Sequence, residues 1–373
     1  MKILVVPDKF KGSLTAREVI TGISKGVRNV FPDAEITSVL ASDGGDGFLE
    51  AISSYVRVTY ETVDTFDPLG RPITAPILLD SKTATAYVEL AQASGLVILK
   101  DREQNPMKTS TYGTGIQLKK AVEMGAKTIY VGLGGSATND GGLGIAYALG
   151  YKFLDSLGKE LKPTGENLLK IHSIKKVEVP ENVVFYAIND VSNPLYGKDG
   201  AAHIYAEQKG ATPPQIAVLD QGLRQLDAIV EHQLHQQNAT IPGAGAAGGA
   251  AYGLKTFCGA TFISGVAFVL HLSGVVALLK EEHFDFIVTG EGRIDAQTLQ
   301  GKLISGVVAL GKQFNIPVIG VCGKLDLNPE AQKAFAIDYF IEISQKNKPL
   351  SYNMQNAAQL LEGEVTTFFK RYS

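Results

Sequence analysis

Gly132-Leu-Gly-Gly-Ser-Ala-Thr-Asn-Asp-Gly-Gly142 is the stretch whose reading decides the fold. Ahead of it, residues 127–131 (Lys-Thr-Ile-Tyr-Val) have the make-up of a short buried strand. Behind it, residues 143–149 carry the small and apolar side chains of a packed helix. A strand, a glycine-rich turn and a helix start form a ready anion site, because backbone N–H groups converge there and the helix dipole favours negative charge. Glycine lets such a backbone approach a ligand closely. Ser136, Thr138, Asn139 and Asp140 add hydroxyl, amide and carboxylate groups within five residues. The plain alternative is a tight turn that binds nothing.

Outward from this stretch the chain reads as α/β. Residues 2–6 are a near-continuous apolar run, as in a parallel strand covered on both faces. Thr15 and Glu18 stand at the spacing of a capping box, ahead of a helix with Val19, Ile20, Ile23, Val27 and Val30 on its apolar side. A strand over 35–40 runs into Ser42-Asp-Gly-Gly-Asp-Gly47, and 48–55 has a helical pattern. This order implies a parallel sheet with right-handed crossovers. Residues 56–66, 73–79 and 85–90 read instead as strands around Asp67-Pro-Leu-Gly-Arg-Pro72, a β-rich excursion into a second domain. Asn105-Pro-Met-Lys-Thr-Ser-Thr-Tyr-Gly-Thr-Gly115 leads into a helix over about 116–124.

Further on, a strand over 183–188 ends in Asn189-Asp-Val-Ser-Asn-Pro194, and Pro213-Pro214 opens a long helix. Residues 241–253 are a glycine and alanine run set too rigidly between elements to be a linker. From 284 the βα rhythm returns, with strands over 284–288, 317–321 and 339–343 and helices over 296–314 and at the C-terminus. Length supports the division, since 373 residues exceed the size at which one core keeps growing. The expected boundaries are 1–58 plus 283–373, with part of 110–150, for a doubly wound parallel domain, and about 59–282 for an inserted mixed α/β domain.

Composition excludes several classes. A net charge of −3 without a basic arm gives no support to a nucleic-acid partner. Cys258 and Cys322 are too few and too far apart for a zinc site or a disulfide scaffold, which points to a reducing, cytoplasmic setting. The N-terminal apolar run is too short for a signal peptide. Residues 256–279 carry no formal charge and are long enough to span a bilayer. Their glycines, serines and His271 point instead to a buried core helix, so no membrane partner is expected.

Ligands of an open parallel sheet bind outside the carboxyl ends of its strands. The polar, glycine-rich stretches fall at such ends, after Val6, Leu40, Val131, Val288 and Val321. One active-site face explains all five. Lys9 and Lys11 supply positive charge and Ser13 a hydroxyl. Asp43 and Asp46 suit either a magnesium ion, which a few carboxylates hold together with substrate phosphates, or a base for a hydroxyl proton. Glu291, Arg293 and Asp295 alternate acid, base and acid; Arg293 suits a bidentate carboxylate clamp or an internal ion pair. Asp190 with Asn193 is a further candidate ligand pair. No Gly-x4-Gly-Lys-[Ser/Thr] is present, which excludes a P-loop NTPase. Gly132-x-Gly134-x-x-Ala137, with Asp155 at roughly the expected distance, resembles a dinucleotide fingerprint, so an NAD-dependent 2-hydroxy-acid oxidoreductase is the runner-up.

At these residues the sequence resembles the type-1 glycerate kinases, bacterial ATP-dependent enzymes. The likeness runs through Pro7-Asp-Lys-Phe-Lys-Gly-Ser-Leu14, Asp43-Gly-Gly-Asp-Gly47, Thr109-Ser-Thr-Tyr-Gly-Thr-Gly115 and Gly134-Gly-Ser-Ala-Thr-Asn-Asp-Gly-Gly142. It continues through Asp190-Val-Ser-Asn-Pro-Leu195, Gln208-Lys-Gly-Ala211, Gly243-Ala-Gly-Ala-Ala-Gly-Gly249 and Thr289-Gly-Glu-Gly-Arg-Ile-Asp-Ala-Gln-Thr298. It implies two α/β domains of different topology with the active site in the cleft between them. The implied reaction is phosphoryl transfer from ATP, with Mg2+, to a hydroxyl of D-glycerate, with 2-phosphoglycerate favoured as product. On this reading Gly134, Gly135 and Ser136, with Thr138, Asn139 and Asp140, take the nucleotide phosphates. Lys9 and Lys11 neutralise the transferred group or hold the glycerate carboxylate, and Asp43 is the base. Ser13, Glu291 and Arg293 are placed at the acceptor acid, and Asp190 or Asp295 at the metal. The partners are small molecules, and a homo-oligomer is compatible with the sequence.

Overall fold

The computed structural model of the chain describes residues 1–42, 44–45, 47–176, 182–295, 298 and 303–373. They fall into two compact units, Met1–Ser42 with Val266–Ser373, and Asp43–Gly265. In chain order the strands are β1 Lys2–Pro7, β2 Glu35–Ser38, β3 Thr59–Phe66, β4 Pro72–Asp80, β5 Thr85–Glu89, β6 Thr128–Gly132, β7 Lys152–Leu154, β8 Ser173–Lys175, β9 Val184–Ile188, β10 Thr261–Ile263, β11 Phe286–Ile294, β12 Val318–Leu325 and β13 Tyr339–Glu342.

The first unit is built on a sheet of order β13-β12-β11-β1-β2 with every neighbouring pair parallel. β1 is apolar along its length because both of its faces are covered. Ile3 and Val5 pack into the cluster made by helices Ala16–Arg28 and Ala357–Phe369. These helices approach closely at Gly22 and Gly26, where a Cβ would fall 2.7 Å from Leu361 and Val365. Alternation along the strand turns Leu4 and Val6 to the other face, and helix Leu303–Phe314 lies against β1, β11 and β12 outside that cluster. The sheet is therefore doubly wound. The expected capping box is present: Glu18 N–H donates to Thr15 Oγ1 and Thr15 N–H to the Glu18 carboxylate. From β1 the chain steps outward to β2; from β11 it steps the opposite way to β12 and β13. Such a reversal opens a crevice at the carboxyl ends of the two central strands.

The second unit carries a mixed sheet, β10-β9-β6-β5-β4-β3. β10, β9, β6 and β5 are parallel, while β3 and β4 add an antiparallel hairpin. On one face Tyr87, Tyr130 and Tyr186 stack across neighbouring strands, with ring centroids 5.5 and 4.8 Å apart. On the other, Ala86, Val88, Ile129, Val131, Phe185 and Ala187 meet helices Tyr112–Glu123 and Ala246–Cys258. The carboxyl ends of β5, β6, β9 and β10 thus lie along one edge of the sheet.

Two expectations need correction. The chain divides after Ser42 and after Gly265, not near 58 and 283, and 110–150 belongs wholly to the second unit. The cause is pairing: β6 is hydrogen-bonded between β5 and β9, and the Glu89 carboxylate at the end of β5 accepts the Leu49 N–H (3.1 Å), which ties helix Phe48–Tyr55 to the mixed sheet. Residues 256–279 are not one core helix. Interrupted at Gly259 and Gly274, they supply the end of helix Ala246–Cys258, β10, helix Gly265–Leu272 and the start of helix Val275–Glu281. Among the described residues no helix is long and apolar enough to cross a membrane. Of the helix expected over 296–314, residues 296–297 and 299–302 lie outside the described residues.

Helix Leu143–Ala148 crosses the start of helix Tyr112–Glu123 at Gly144, where a Cβ would sit 2.2 Å from the Tyr112 backbone nitrogen. Backbone cannot swing aside as a side chain can. Gly144→Ala should therefore cost about 1–3 kcal/mol of stability as an overpacked site, read as a lower denaturant midpoint; an unchanged midpoint would mean that the crossing has slack.

Candidate active site

In the second unit the central turn leaves β6 at Gly132. Leu133 N–H donates to the Ile188 carbonyl (3.1 Å) and Gly134 N–H to the Gly44 carbonyl (2.9 Å). A Cβ on Gly134 would fall 2.0 Å from Gly45 Cα, so this glycine is needed for close passage of the Gly44–Gly45 segment. Leu96 N–H donates to the Gly135 carbonyl and Ala137 N–H to the Ser94 carbonyl. The Gly135 and Ser136 N–H groups are left without a partner among the described residues, and Gly135 is exposed, with φ +68°. These two adjacent donors are what the turn offers to an anion.

The remaining groups of the turn are committed to the fold. The Asp140 carboxylate is wholly buried. Its Oδ2 accepts from Thr111 N–H (2.8 Å), Thr111 Oγ1–H (2.9 Å) and Gly144 N–H (3.2 Å), and its Oδ1 from Gly142 N–H (3.1 Å). Burial pushes its pKa above the usual carboxylate value, against the pull of those donors. Thr138 and Asn139 are also enclosed, and neither the Thr138 hydroxyl nor the Asn139 amide has a partner among the described residues. Against them lies the glycine and alanine run. A Cβ on Gly248 would stand 2.0 Å from the Thr138 carbonyl oxygen, and one on Gly253 2.6 Å from Gly142 Cα. Of the six residues expected at the phosphates, then, Gly135, which is exposed, and Ser136, which is 6% exposed, carry N–H groups with no partner among the described residues. Gly134 spends its N–H on Gly44, and Thr138, Asn139 and Asp140 are enclosed.

Behind Ser136 is Lys209, which only the Gln208-Lys-Gly-Ala211 match could have flagged. Its Nζ donates to Ser136 Oγ (2.8 Å) and to the Thr138 carbonyl (2.7 Å), and the residue is 4% exposed. Burial pushes its pKa down to about 7, with the Asp140 charge acting in the opposite direction. Glu89 was likewise missed. It is 2% exposed, its carboxylate accepts from Gly47 and Leu49 N–H and from the Gln92 amide, and it lines an open pocket of about 350 Å³ with Ala91, Val97 and Ile98. At the ends of β9 and β10, Asp190 Oδ1 accepts from Ser264 Oγ (2.6 Å). Asp43 and Asp46 lie outside the described residues.

In the first unit the ends of β1 and β11 carry the Lys9–Ser13 loop and the Glu291–Asp295 stretch. Asp8 N–H donates to the Gly290 carbonyl, and Phe10 and Leu14 form an isolated bridge that folds 10–14 into a tight loop. Lys9 and Ser13 are half-buried there and Lys11 is exposed. Ser13 Oγ donates to the Phe10 carbonyl (3.0 Å). A Cβ on Gly292 would lie 3.2 Å from Lys11 N, so the lysine loop rests on the strand that carries Glu291. Arg293 is engaged by carboxylates of its own unit: its guanidinium pairs with Asp326 and, at 3.4 Å, with Asp295. The ion-pair alternative fits this geometry, and the Asp295 carboxylate is engaged by the same contact. Asp190 and Asp295 belong to different units. Among the described residues no three His, Cys, Asp or Glu side chains converge as a metal site.

The family model described as "Glycerate kinase family" matches residues 3–373. The chain belongs to the glycerate kinase family. A glycerate kinase of Halalkalibacterium halodurans is 39% identical over 363 residues, covering 96% of this chain and 95% of that one. A glycerate 2-kinase of Escherichia coli K12 is 39% identical over 331 residues, 87% and 86% of the two chains. A crystal structure assigned to glycerate kinase 2 of Salmonella typhimurium LT2 superposes with a TM-score of 0.81 at 34% identity, covering 100% of this chain and 98% of that one. The NAD-dependent alternative finds no support here. Asp155, which would have to meet a ribose, caps a surface turn by accepting from Leu157 and Lys159 N–H.

In this member of the family the threonine-rich motif is internal scaffolding for the turn. Thr109 Oγ1 holds the Ala137 carbonyl (2.8 Å), Thr111 holds Asp140, and the Thr114 and Ser94 hydroxyls bond each other (2.8 Å). All the groups around Asp140 are donors, so an amide at that position would point NH2 at N–H. Asp140→Asn should cost about 3 kcal/mol, the order expected for one or two buried groups left unsatisfied, measured by urea unfolding. A loss under about 0.5 kcal/mol would mean that the four bonds do not hold the turn.

Proposed function

We propose that the chain transfers the terminal phosphoryl group of Mg2+-bound ATP to a hydroxyl of D-glycerate, releasing ADP and 2-phosphoglycerate in the cytoplasm. Family membership supports the reaction class, and the name of the Escherichia coli relative, a glycerate 2-kinase, favours the 2-hydroxyl. The observation that carries the reading is the exposed Gly135 turn, which pairs two unspent N–H donors with a lysine directly behind them. Phosphoryl transfer asks a protein mainly for positioning and charge stabilisation, and such a turn supplies both to a phosphate chain.

The donor set suits magnesium, which is held by one or two carboxylates together with phosphate oxygens and water. Asp190, at the end of β9 and oriented by Ser264, is the preferred carboxylate. When bound, the ion neutralises charge on the phosphates. In the first unit Lys9 and Lys11 hold the acceptor's carboxylate or the transferred group, with Ser13 and Glu291 beside them. Arg293, paired with Asp295 and Asp326, stiffens the extension where β11 and β12 run on together. Asp43 is the base that takes the hydroxyl proton.

Phosphorus NMR of a mixture of protein, D-glycerate, ATP and Mg2+ should show ADP and a single phosphoglycerate, with phosphorus coupled to the C2 proton. Coupling to a methylene would assign the 3-hydroxyl instead, and no new resonance would remove the kinase reading. Asp43→Asn should lower kcat by about 10²–10⁴ with ATP binding retained, the range for loss of a general base; near-normal turnover would remove Asp43 from that role.

A further inference from the structure

Lys209 closes the 3-10 turn Glu207–Lys209, and its ammonium points to neutral acceptors, Ser136 Oγ and the Thr138 carbonyl. An ammonium is a donor only. While Lys209 is charged, the serine oxygen of the Lys209–Ser136 contact must therefore accept. A hydroxyl that accepts along one lone pair has to send its own hydrogen in another direction, and no described residue receives it. Ser136 also carries one of the two unspent N–H groups of the turn. Hydroxyl and amide hydrogens of the same residue thus both lack a partner among the described residues, and that residue is 6% exposed next to the exposed Gly135.

We propose that Lys209 is a positioning residue that locks the Ser136 oxygen as an acceptor toward the interior, so that the serine O–H joins the Gly135 and Ser136 N–H groups as a third donor to a nucleotide phosphate. This rests on the kinase reading for the identity of the ligand, but not on the identity of the phosphoryl acceptor. A neutral amide would tie Ser136 to Thr138 without the cost of enclosing a charge. An ammonium there gains from an anion in front of the turn. The charged groups facing it are Asp140, from the turn itself, and the exposed Glu207 of its own turn.

The test is calorimetric titration of ADP into the full chain in excess Mg2+. Lys209→Met and Ser136→Ala should each weaken ADP binding by about tenfold, the size of one charge-assisted hydrogen bond. The double variant should bind no worse than the weaker single, because both act through one contact. KM for glycerate should stay within twofold. Wild-type affinity should fall by roughly tenfold from about pH 6 to about pH 9, as Lys209 loses its proton through a free-protein pKa of about 7 that bound ADP raises, and Lys209→Met should flatten that profile. A purely structural lysine predicts the opposite pattern: a lower melting temperature, with ADP affinity of the folded protein within twofold of wild type and additive losses. That pattern, or a flat wild-type pH profile, overturns the proposal. Should Lys209→Met fail to fold, Ser136→Ala and the wild-type pH series still decide. ADP binding that depends on Lys209 without phosphorylation of glycerate would sink the acceptor assignment alone. Turnover of glycerate with ADP affinity indifferent to Lys209 would sink this inference alone, and absence of ADP binding would sink both.

Discussion

The wholly buried carboxylate of Asp140 is the constraint on which the second unit depends. It collects donors from Thr111, Gly142 and Gly144, and so fixes the start of helix Tyr112–Glu123 relative to the start of helix Leu143–Ala148. With those ends held, the chain between β6 and the second helix must bulge away from the sheet. The bulge is the Gly135 turn. Enclosing a carboxylate is costly unless its oxygens are satisfied, so the site requires every one of these donors. The surrounding threonines then read as the supply of hydrogen bonds that keeps one buried charge tolerable.

Close backbone contact is the second constraint. The turn is flanked by Gly44–Gly45 on one side and by Gly248 and Gly253 on the other, each at distances that leave no room for a Cβ. Three glycine-rich stretches far apart in sequence are therefore one packing solution. Side chains between these segments would push the Gly135 donors out of position. The first unit reaches its rim differently. There a doubly wound sheet reverses at β1 and β11, and the Lys9–Lys11 loop is laid along Gly292 by short-range bonds.

Elements governed by local rules were legible in the sequence. The Thr15–Glu18 capping box, helix Phe48–Tyr55 and the apolar runs of β1 and β6 follow from spacing and periodicity alone. Residues 256–279 were misread because an uncharged run does not reveal where glycine interrupts a helix. The unit boundary was misplaced because helix Phe48–Tyr55 follows β2 in sequence but is captured by Glu89 of β5. Asp140 looked like a ligand group because polar residues in a glycine-rich turn read alike whether they face in or out. Arg293 had two readings that only the positions of Asp295 and Asp326 could separate.

The same argument explains why Lys209 carried no signal of its own. A lone lysine in a short turn is ordinarily solvated, and nothing in Gln208-Lys-Gly-Ala211 says that its side chain will be enclosed. Its meaning comes from the contact with Ser136, some seventy residues earlier in the chain. A buried ammonium with a neighbouring buried carboxylate suggests a salt bridge, yet no ion pair joins Lys209 to Asp140 among the described residues, and the nitrogen spends its bonds on a hydroxyl and a carbonyl. Positive charge on Lys209, opposed by burial and only partly offset by Asp140, next to two N–H groups without a partner among the described residues creates a local potential that favours an anion. On the reading proposed above, that potential, more than the glycines that shape the turn, is what would set a phosphate cradle apart from a tight bend.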